Sequence, residues 1–235
     1  MDFANVEEPK VKKSITVAAM QDMANIGSIA IEFMNKRLKT QLFRYVSASY
    51  PNYVIDKGGY IEFHQGKWEY RYARNIIVFG GGIGQPLTNQ ELYELCQDVI
   101  NVAKRCSCQL IYTLGAFHTD REVGKNPKTL VTTSSPESKE QVRSFGVEIT
   151  PPSSLSTGFN GFILGFAKLS NIQGIGLYGE INDRQIPQYR SARSVLQLFE
   201  RLTYQKFGGL EELDVTGDAV DTEEEKMKKS DGTWK

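Results

Sequence analysis

Histidine is nearly absent from this 235-residue chain: His64 and His118 are the only two. A zinc site needs three or four ligands at close spacing. Neither these histidines, 54 residues apart, nor the single pair Cys106-x-Cys108 supplies them. Cysteine is scarce as well. Cys96, Cys106 and Cys108 are an odd number without framework spacing, which excludes a disulfide scaffold and fits a reducing cytoplasm. An excess of charge of one sign is also missing. Lys plus Arg and Asp plus Glu both number 28, so the net charge is zero. That speaks against a dedicated nucleic-acid binder and against a polybasic membrane anchor. Long hydrophobic runs are lacking too, the longest being four or five residues, such as Ile76-Ile77-Val78-Phe79. No segment is long enough to span a bilayer, and MDFANVEEPKVKK at the start has no apolar secretory core.

What remains is the composition of an ordinary soluble domain, 40% hydrophobic and 24% charged. A globule of this length buries roughly 70–75% of its unfolded surface and needs neither disulfide nor metal to stay folded. The chain divides into a charged, flexible segment over residues 1–13, one compact domain over 14–212, and a charged tail over 213–235. The tail has too few apolar side chains to offset its ordering entropy, so disorder is expected there.

Within the domain, β-branched runs alternate with helical patterns. Ser14–Met20 is a strand pattern. Asn25 is placed to cap a helix to about Lys39, with Ile26, Ile29, Phe33 and Met34 on one face. Gln41–Ser49 alternates like a strand. Tyr60–Phe63 and Trp68–Tyr72 flank a turn at His64–Lys67 and suggest a hairpin. Asn75–Phe79 is a buried strand type. Thr88 and Glu91 form a capping box, with Leu87 and Leu92 as a hydrophobic staple, ahead of a stripe of Leu92, Leu95, Cys96, Val99 and Ala103. Gln109–Leu114 and Lys128–Thr133 are further strands, and Ser135-Pro136 opens a short helix that stops at Gly146. Gly161–Leu169 mixes apolar residues with glycine. Ile172–Ile181 is a strand, and Tyr189–Phe207 is a long helix ended by Gly208-Gly209. The alternation implies an α/β fold, a three-layer α/β/α sandwich with a mostly parallel sheet and an antiparallel excursion near residues 60–72.

Four constellations bear on chemistry. Gly80–Gly84 follows a buried strand and precedes a helix, where an α/β sheet places ligands, and its amides suit an anion. It matches neither a Walker loop nor a dinucleotide fingerprint. Gly174, Gly176 and Gly179 do spell G-x-G-x-x-G, but Ile175, Leu177 and Tyr178 inside the motif make it a strand with close-packing glycines. His118-Thr119-Asp120-Arg121-Glu122 offers acid, base and cation in a loop with no evident nucleophile. Glu180 and Asp183 stand at a strand end, where carboxylates bind a ribose or transfer protons. A polar, solvated loop is the default reading for each of the last two. The tail ends in Thr233-Trp234-Lys235. A tryptophan there calls for a partner, since burying it removes about 150–250 Å² from water.

The strand ITVAAM followed by Asn25-Ile26-Gly27, the run NIIVFGGGIGQPL, QLIYTLGAF, GFNGFILG and GIGLYGEINDRQIPQYRSARSVLQLFERL occur in an order and spacing that resembles the proteasome assembly chaperone 2 family over residues 14–212. The resemblance implies a non-enzymatic archaeal chaperone homologue with an α/β/α domain similar to nucleoside phosphorylases. It also implies homo-oligomers, no cofactor, and 20S proteasome α-subunits as partners. In that family a C-terminal hydrophobic–tyrosine–any motif docks between α-subunits. Thr233, Trp234 and Lys235 occupy those three places, with threonine and tryptophan as departures from the motif. Two other readings stand beside this one. One is a nucleoside-phosphorylase-like enzyme with phosphate on Gly80–Gly84 and ribose on Glu180 or Asp183. The other is an oligomeric scaffold for an unrelated partner of the tail.

Overall fold

A computed structural model describes residues 1–231 apart from 8, 10, 12, 50–53, 64, 82 and 152–155. The chain runs β1 (Asp2–Asn5), β2 (Ile15–Ala18), α1 (Ile26–Leu38), β3 (Gln41–Ser47), β4 (Val54–Asp56), β5 (Ile61–Phe63), β6 (Lys67–Ala73) and β7 (Ile76–Gly80). It continues through α2 (Asn89–Arg105), β8 (Leu110–His118), β9 (Thr129–Thr133), α3 (Pro136–Arg143) and β10 (Glu148–Ile149). The last elements are α4 (Gly158–Leu169), β11 (Gln173–Ile181), α5 (Tyr189–Thr203) and α6 (Glu212–Asp231).

Nine strands form one sheet in the order β1-β3-β6-β7-β2-β8-β11-β9-β10. The four central strands, β7, β2, β8 and β11, are mutually parallel. They are also the most apolar, because a parallel strand covered on both faces has no solvent side. Antiparallel pairs flank them on both sides. β1, β3, β6 and β7 alternate in direction, and β9 runs against β11. The antiparallel part is therefore larger than a single excursion. Helices α2 and α4 cover one face, burying Leu95, Val99, Phe159 and Ile163 against Phe79 and Ile111. Helices α1 and α5 cover the other, burying Ile26, Met34, Val195 and Phe199 against Val17 and Tyr112. The result is the α/β/α sandwich expected from the sequence. No described helix is long and apolar enough to cross a membrane.

Local signals are obeyed where one interaction decides them. Thr88 Oγ1 accepts the Glu91 amide at 3.2 Å and starts α2. Ser135 Oγ accepts the Ser138 amide at 3.2 Å, with Pro136 at the first position of α3. The staple beside Thr88 does not form, since Leu87 is 68% exposed while Leu92 is buried. Asn25 sits at the N-cap of α1 in a left-handed conformation, without a side-chain capping bond. Asp22 takes that role, its Oδ1 accepting the Gly27 amide at 3.0 Å.

Four further points correct or complete the expectations. The hairpin over residues 60–72 does not form. β5 pairs with β4 across Lys57–Tyr60, whereas Trp68 and Tyr70 lie in β6 between β3 and β7. Burying Trp68 and Tyr70, both at most 1% exposed, outweighs a local turn. Gly158–Leu169 is a helix whose glycines obscure its period, with Phe159, Ile163 and Ala167 buried along one face. α5 stops at Tyr204, in the left-handed region, short of Gly208-Gly209. The chain is then fastened by Glu200 Oε1 accepting the Phe207 amide at 2.7 Å.

The fourth correction concerns the ends. Residues 2–5 are not free but supply edge strand β1, whose Asn5 accepts from Arg44 Nη1 at 2.7 Å. Of the segment 213–235 expected to be disordered, the described residues 213–231 fall in α6, held against α5 by side-chain pairs described below.

Candidate functional site

Two places among the described residues gather polar side chains at a crevice or a helix interface. The first is a crevice of about 520 Å³ over the carboxyl ends of the central strands. The chain leaves β2 for α1 on one face of the sheet and leaves β7 for α2 on the other. Such divergence opens a crevice at the strand ends, the usual ligand position in an open α/β sheet. Met20–Met23 form one wall, Gly84 and Gln85 a second, and Ser156–Asn160 at the start of α4 a third. Ala116 of β8 and Tyr178 of β11 complete it.

The β2–α1 connection is tightly determined. Ala24 and Asn25 both have positive φ, 55° and 58°, and turn the chain back over the sheet. Gly27 follows because nothing larger fits: a Cβ there would lie 2.4 Å from the Met20 carbonyl oxygen and 3.0 Å from that of Leu114. This turn aims the Asp22 carboxyl into the crevice. Burial pushes its pKa up to about 7, although the amides of Gly27, Ala116 and Ile26 pull in the opposite direction.

Asn160 stands opposite. Its Oδ1 accepts from the Met20 amide at 3.3 Å and from Thr113 Oγ1 at 3.2 Å. The Tyr178 hydroxyl donates to the Asn160 carbonyl at 3.2 Å and lies 3.4 Å from Ser156 Oγ. Burial raises the Tyr178 pKa, so the phenol stays protonated. Gln85 Oε1 accepts the Phe159 amide at 3.0 Å and caps α4 from across the crevice.

The sequence-predicted glycine loop lies at the rim of this crevice, but its glycines serve packing. A Cβ on Gly80 would lie 2.7 Å from the Ala19 carbonyl oxygen, and one on Gly81 2.5 Å from that of Lys67. Gly84 lines the crevice, with its carbonyl accepting from Trp68 Nε1 at 3.2 Å. Gly82 and His64 lie outside the described residues. Gly174, Gly176 and Gly179 fall inside β11, as the strand reading requires.

His118 ends β8 with Nδ1 4.0 Å from Asp120 Oδ1, and Asp120 is fully exposed. Arg121 pairs instead with Glu180 at 2.9 Å, which ties up both as a bridge between strand ends. Asp183 Oδ1 accepts the Gln185 and Ile186 amides at 2.7 and 3.1 Å and shapes the turn into α5. No triad assembles from these residues. Among the described residues no group of three or more His, Cys, Asp or Glu is placed to hold a metal ion. Cys96 is buried within the core, where burial pushes its pKa up to about 12 and leaves it an inert thiol.

Asp22, Asn160 and Tyr178 were not singled out by sequence reasoning. The available signal was the polar pair Gln21-Asp22 directly after a buried strand, in the position where α/β proteins place ligand contacts.

The second place is the outer face of α5, where α6 docks. Leu213 and Gly217 are buried there at helical spacing. Arg193 Nη1 donates to Asp214 Oδ2 at 2.5 Å, and Arg190 Nη1 donates to Asp221 Oδ2 at 2.6 Å while its Nη2 pairs with Asp218. Arg37 and Lys36 of α1 pair with Glu212 at the start of the helix. Asp214, Asp218 and Asp221 thus form an acidic stripe that meets a basic one. Helix α6 continues ten residues beyond Asp221. The sequence-predicted anchor, Thr233, Trp234 and Lys235, lies outside the described residues.

Comparison with known proteins agrees with this architecture. A profile of the PAC2 family matches residues 16–228, so that α6 falls largely within the match. An uncharacterised protein of Methanocaldococcus jannaschii is 24% identical over 222 residues, covering 93% of this chain and 84% of its own. The crystal structure of Pyrococcus furiosus PbaB, an archaeal proteasome activator, superimposes with a TM-score of 0.83 at 19% identity, covering 97% of this chain and 98% of that one. Pyrococcus furiosus PbaA, an archaeal homologue of proteasome-assembly chaperone, gives 0.79 at 20% identity over 97% and 92%.

Proposed function

The chain belongs to the PAC2 family, and from that premise we propose that it acts by binding rather than catalysis, as a proteasome-assembly or proteasome-binding factor that captures 20S α-subunits. The observation that carries this reading is α6. Among the described residues its ion pairs to the body lie in its first half, and the residues that follow it include Trp234. A helix rises about 1.5 Å per residue, so the ten residues past Asp221 reach roughly 15 Å beyond the last ion pair. An arm of that kind presents Thr233, Trp234 and Lys235 to a pocket on a partner without moving the folded domain. The relatives described above as a proteasome activator and an assembly-chaperone homologue share the fold and support the assignment of partner.

The same reading includes self-association, through which several arms meet one ring and combine by effective concentration. The β4–β5 hairpin supports it. Val54, Tyr60, Ile61 and Phe63 are 48%, 64%, 55% and 72% exposed on a two-stranded sheet. An isolated hairpin is marginal in water, and clustered exposed apolar side chains mark contact surfaces. The protein works in a reducing cytoplasm on this reading, in keeping with its three buried cysteines.

The test is native mass spectrometry of the full chain mixed with proteasome α-subunits of the same organism, with and without Thr233–Lys235. Complexes with the full chain that vanish on deletion are expected. Complexes that persist would move the interface to the folded domain, and no association by either form would end the proposal.

A further inference from the structure

We propose that the outer face of α2 and α4 pairs with the same face of a second copy of this chain, in a two-fold contact with the two α4 helices antiparallel. The inference deepens the self-association proposed above and rests on it, but not on capture of any proteasome subunit.

Helices α2 and α4 bury one side against the sheet and turn the other outward. Aromatic rings collect on the outward side. The Tyr93 ring meets Phe162 edge-on at 5.4 Å and lies 6.1 Å from Phe166. Both phenylalanines are only partly buried. Leu169 follows Phe166 by three residues, on the same side of α4. It is 85% exposed and Tyr93 is 44% exposed. Apolar side chains exposed singly need no explanation, but a shelf of touching rings across two helices marks a contact surface.

The shelf has a hollow in it. Gly165 is exposed between Phe162 and Phe166, and a Cβ there would meet nothing within 4 Å. No neighbour in this chain therefore requires a glycine, although glycine costs a helix about 1 kcal/mol relative to alanine. Gly161 in the same helix differs, because a Cβ there would lie 2.6 Å from Ser156. The bare backbone at Gly165 admits a side chain arriving from outside.

Self-complementarity identifies the occupant. In a two-fold contact every group must find its complement on the same patch. Antiparallel α4 helices centred between Gly165 and Phe166 set each Phe166 opposite the hollow of the other copy. Each Leu169 then stands opposite the other copy's Phe162. Charge agrees with this arrangement. Lys168 and Glu94 are both exposed on this face. Among the described residues Lys168 pairs with no acid, and Glu94 accepts only from Gln90 Nε2, at 3.1 Å. The same centring brings Lys168 level with Ile163 of the other copy, beside Phe162 and Tyr93 and hence next to Glu94. The symmetry makes this opposite-charge contact twice. One face thus carries a knob and its hollow, and an acid and its base.

The test is sedimentation equilibrium of the full-length protein alone, from about 1 to 100 μM, a range that resolves contacts of moderate affinity. The parent is expected to self-associate. Gly165→Gln fills the hollow and adds helix propensity, and is expected to weaken association about tenfold or more without lowering thermal stability. Glu94→Lys and Lys168→Glu are each expected to weaken it about tenfold, since each reversal acts twice in the dimer. Glu94→Lys combined with Lys168→Glu is expected to return it to within about threefold of the parent. The same series in a Phe63→Ser background separates this face from the β4–β5 hairpin. A monomeric parent would overturn self-association itself. Association that ignores Gly165→Gln, or reversals that fail to rescue one another, would overturn this face alone. Neither result bears on α-subunit capture, because no α-subunit is present.

Discussion

Two charge networks hold this molecule, and they are built to different standards. The first lies under α2. Arg44 of β3 donates to both oxygens of Asp98 at 2.6 and 3.3 Å, the Tyr70 hydroxyl donates to Asp98 Oδ2 at 2.6 Å, and Asn5 of β1 completes the ring. The Arg44 and Asp98 side chains are 8% and 13% exposed. The second network is the clasp between α5 and α6, where Arg190 is 15% exposed but its partners Asp218 and Asp221 are 60% and 56% exposed. Solvent screens the second and not the first. A buried pair is costly to break because the surviving charge has no water, whereas an exposed pair contributes about 0–1 kcal/mol. The antiparallel flank of the sheet is thus locked in place, while the arm rests on the domain through contacts that salt can loosen.

That contrast can be broken experimentally. The largest effect is expected from Asp98→Ala, which strands the Arg44 guanidinium in the core. It should lower unfolding stability by about 3–5 kcal/mol in denaturant titrations, and a loss under 1 kcal/mol would show that the network is solvated.

Asp22 sharpens the comparison as a half-buried carboxyl with no cationic partner among the described residues. Its folded pKa of about 7 lies above the ordinary 3.8, so between these values the folded chain holds a proton that the unfolded chain has lost. Stability contributed by the protonated form is complete below pH 4 and falls as pH rises to 7. Asp22→Asn removes this penalty and keeps an acceptor for the Gly27 amide. The variant should gain on the order of 2–4 kcal/mol over the parent at pH 8 and little at pH 4. Parallel stability–pH profiles for the two proteins would contradict it.

A smaller effect is expected from Arg190→Ala. Global stability should change by about 1 kcal/mol or less. Amide exchange within α6 should nevertheless accelerate selectively, and 1 M salt should bring the parent protein towards the same rates. Exchange in α6 that matches the core in both proteins would mean that the helix belongs to the rigid domain.

The smallest effect on folding belongs to Phe63→Ser, at 72% exposure expected to shift stability by no more than about 0.5 kcal/mol. Its readout is mass by light scattering. If the proposed self-association uses this hairpin, the mass shifts to a lower oligomer, and unchanged mass would exclude the hairpin as its surface.

The same contrast explains what was legible in advance. The strands of the parallel centre were visible because they are apolar on both faces, and Thr88 and Ser135 marked helix starts because capping is decided by a side chain and an amide three residues away. Helix α6 was not legible. Its apolar positions are sparse, and its stability comes from an acidic stripe, Asp214, Asp218 and Asp221, meeting Arg190 and Arg193 on another helix. Both stripes are present in the sequence, but nothing local pairs them. α4 was hidden for a different reason, since three glycines in twelve residues lower helix propensity and only burial of Phe159, Ile163 and Ala167 restores it.

The sequence by itself determined the layered α/β class, the positions of the central strands and the placement of the β11 glycines inside a strand. Each follows from the periodicity or chemistry of residues close together in the chain. Tertiary structure alone decided that residues 2–5 join the sheet, that Trp68 and Tyr70 lie between β3 and β7, and that Asp22 and Asn160, 138 positions apart in sequence, line one crevice. Those outcomes depend on which distant surfaces can exclude water together. That is a property of the assembled sheet, and no window of neighbouring residues contains it.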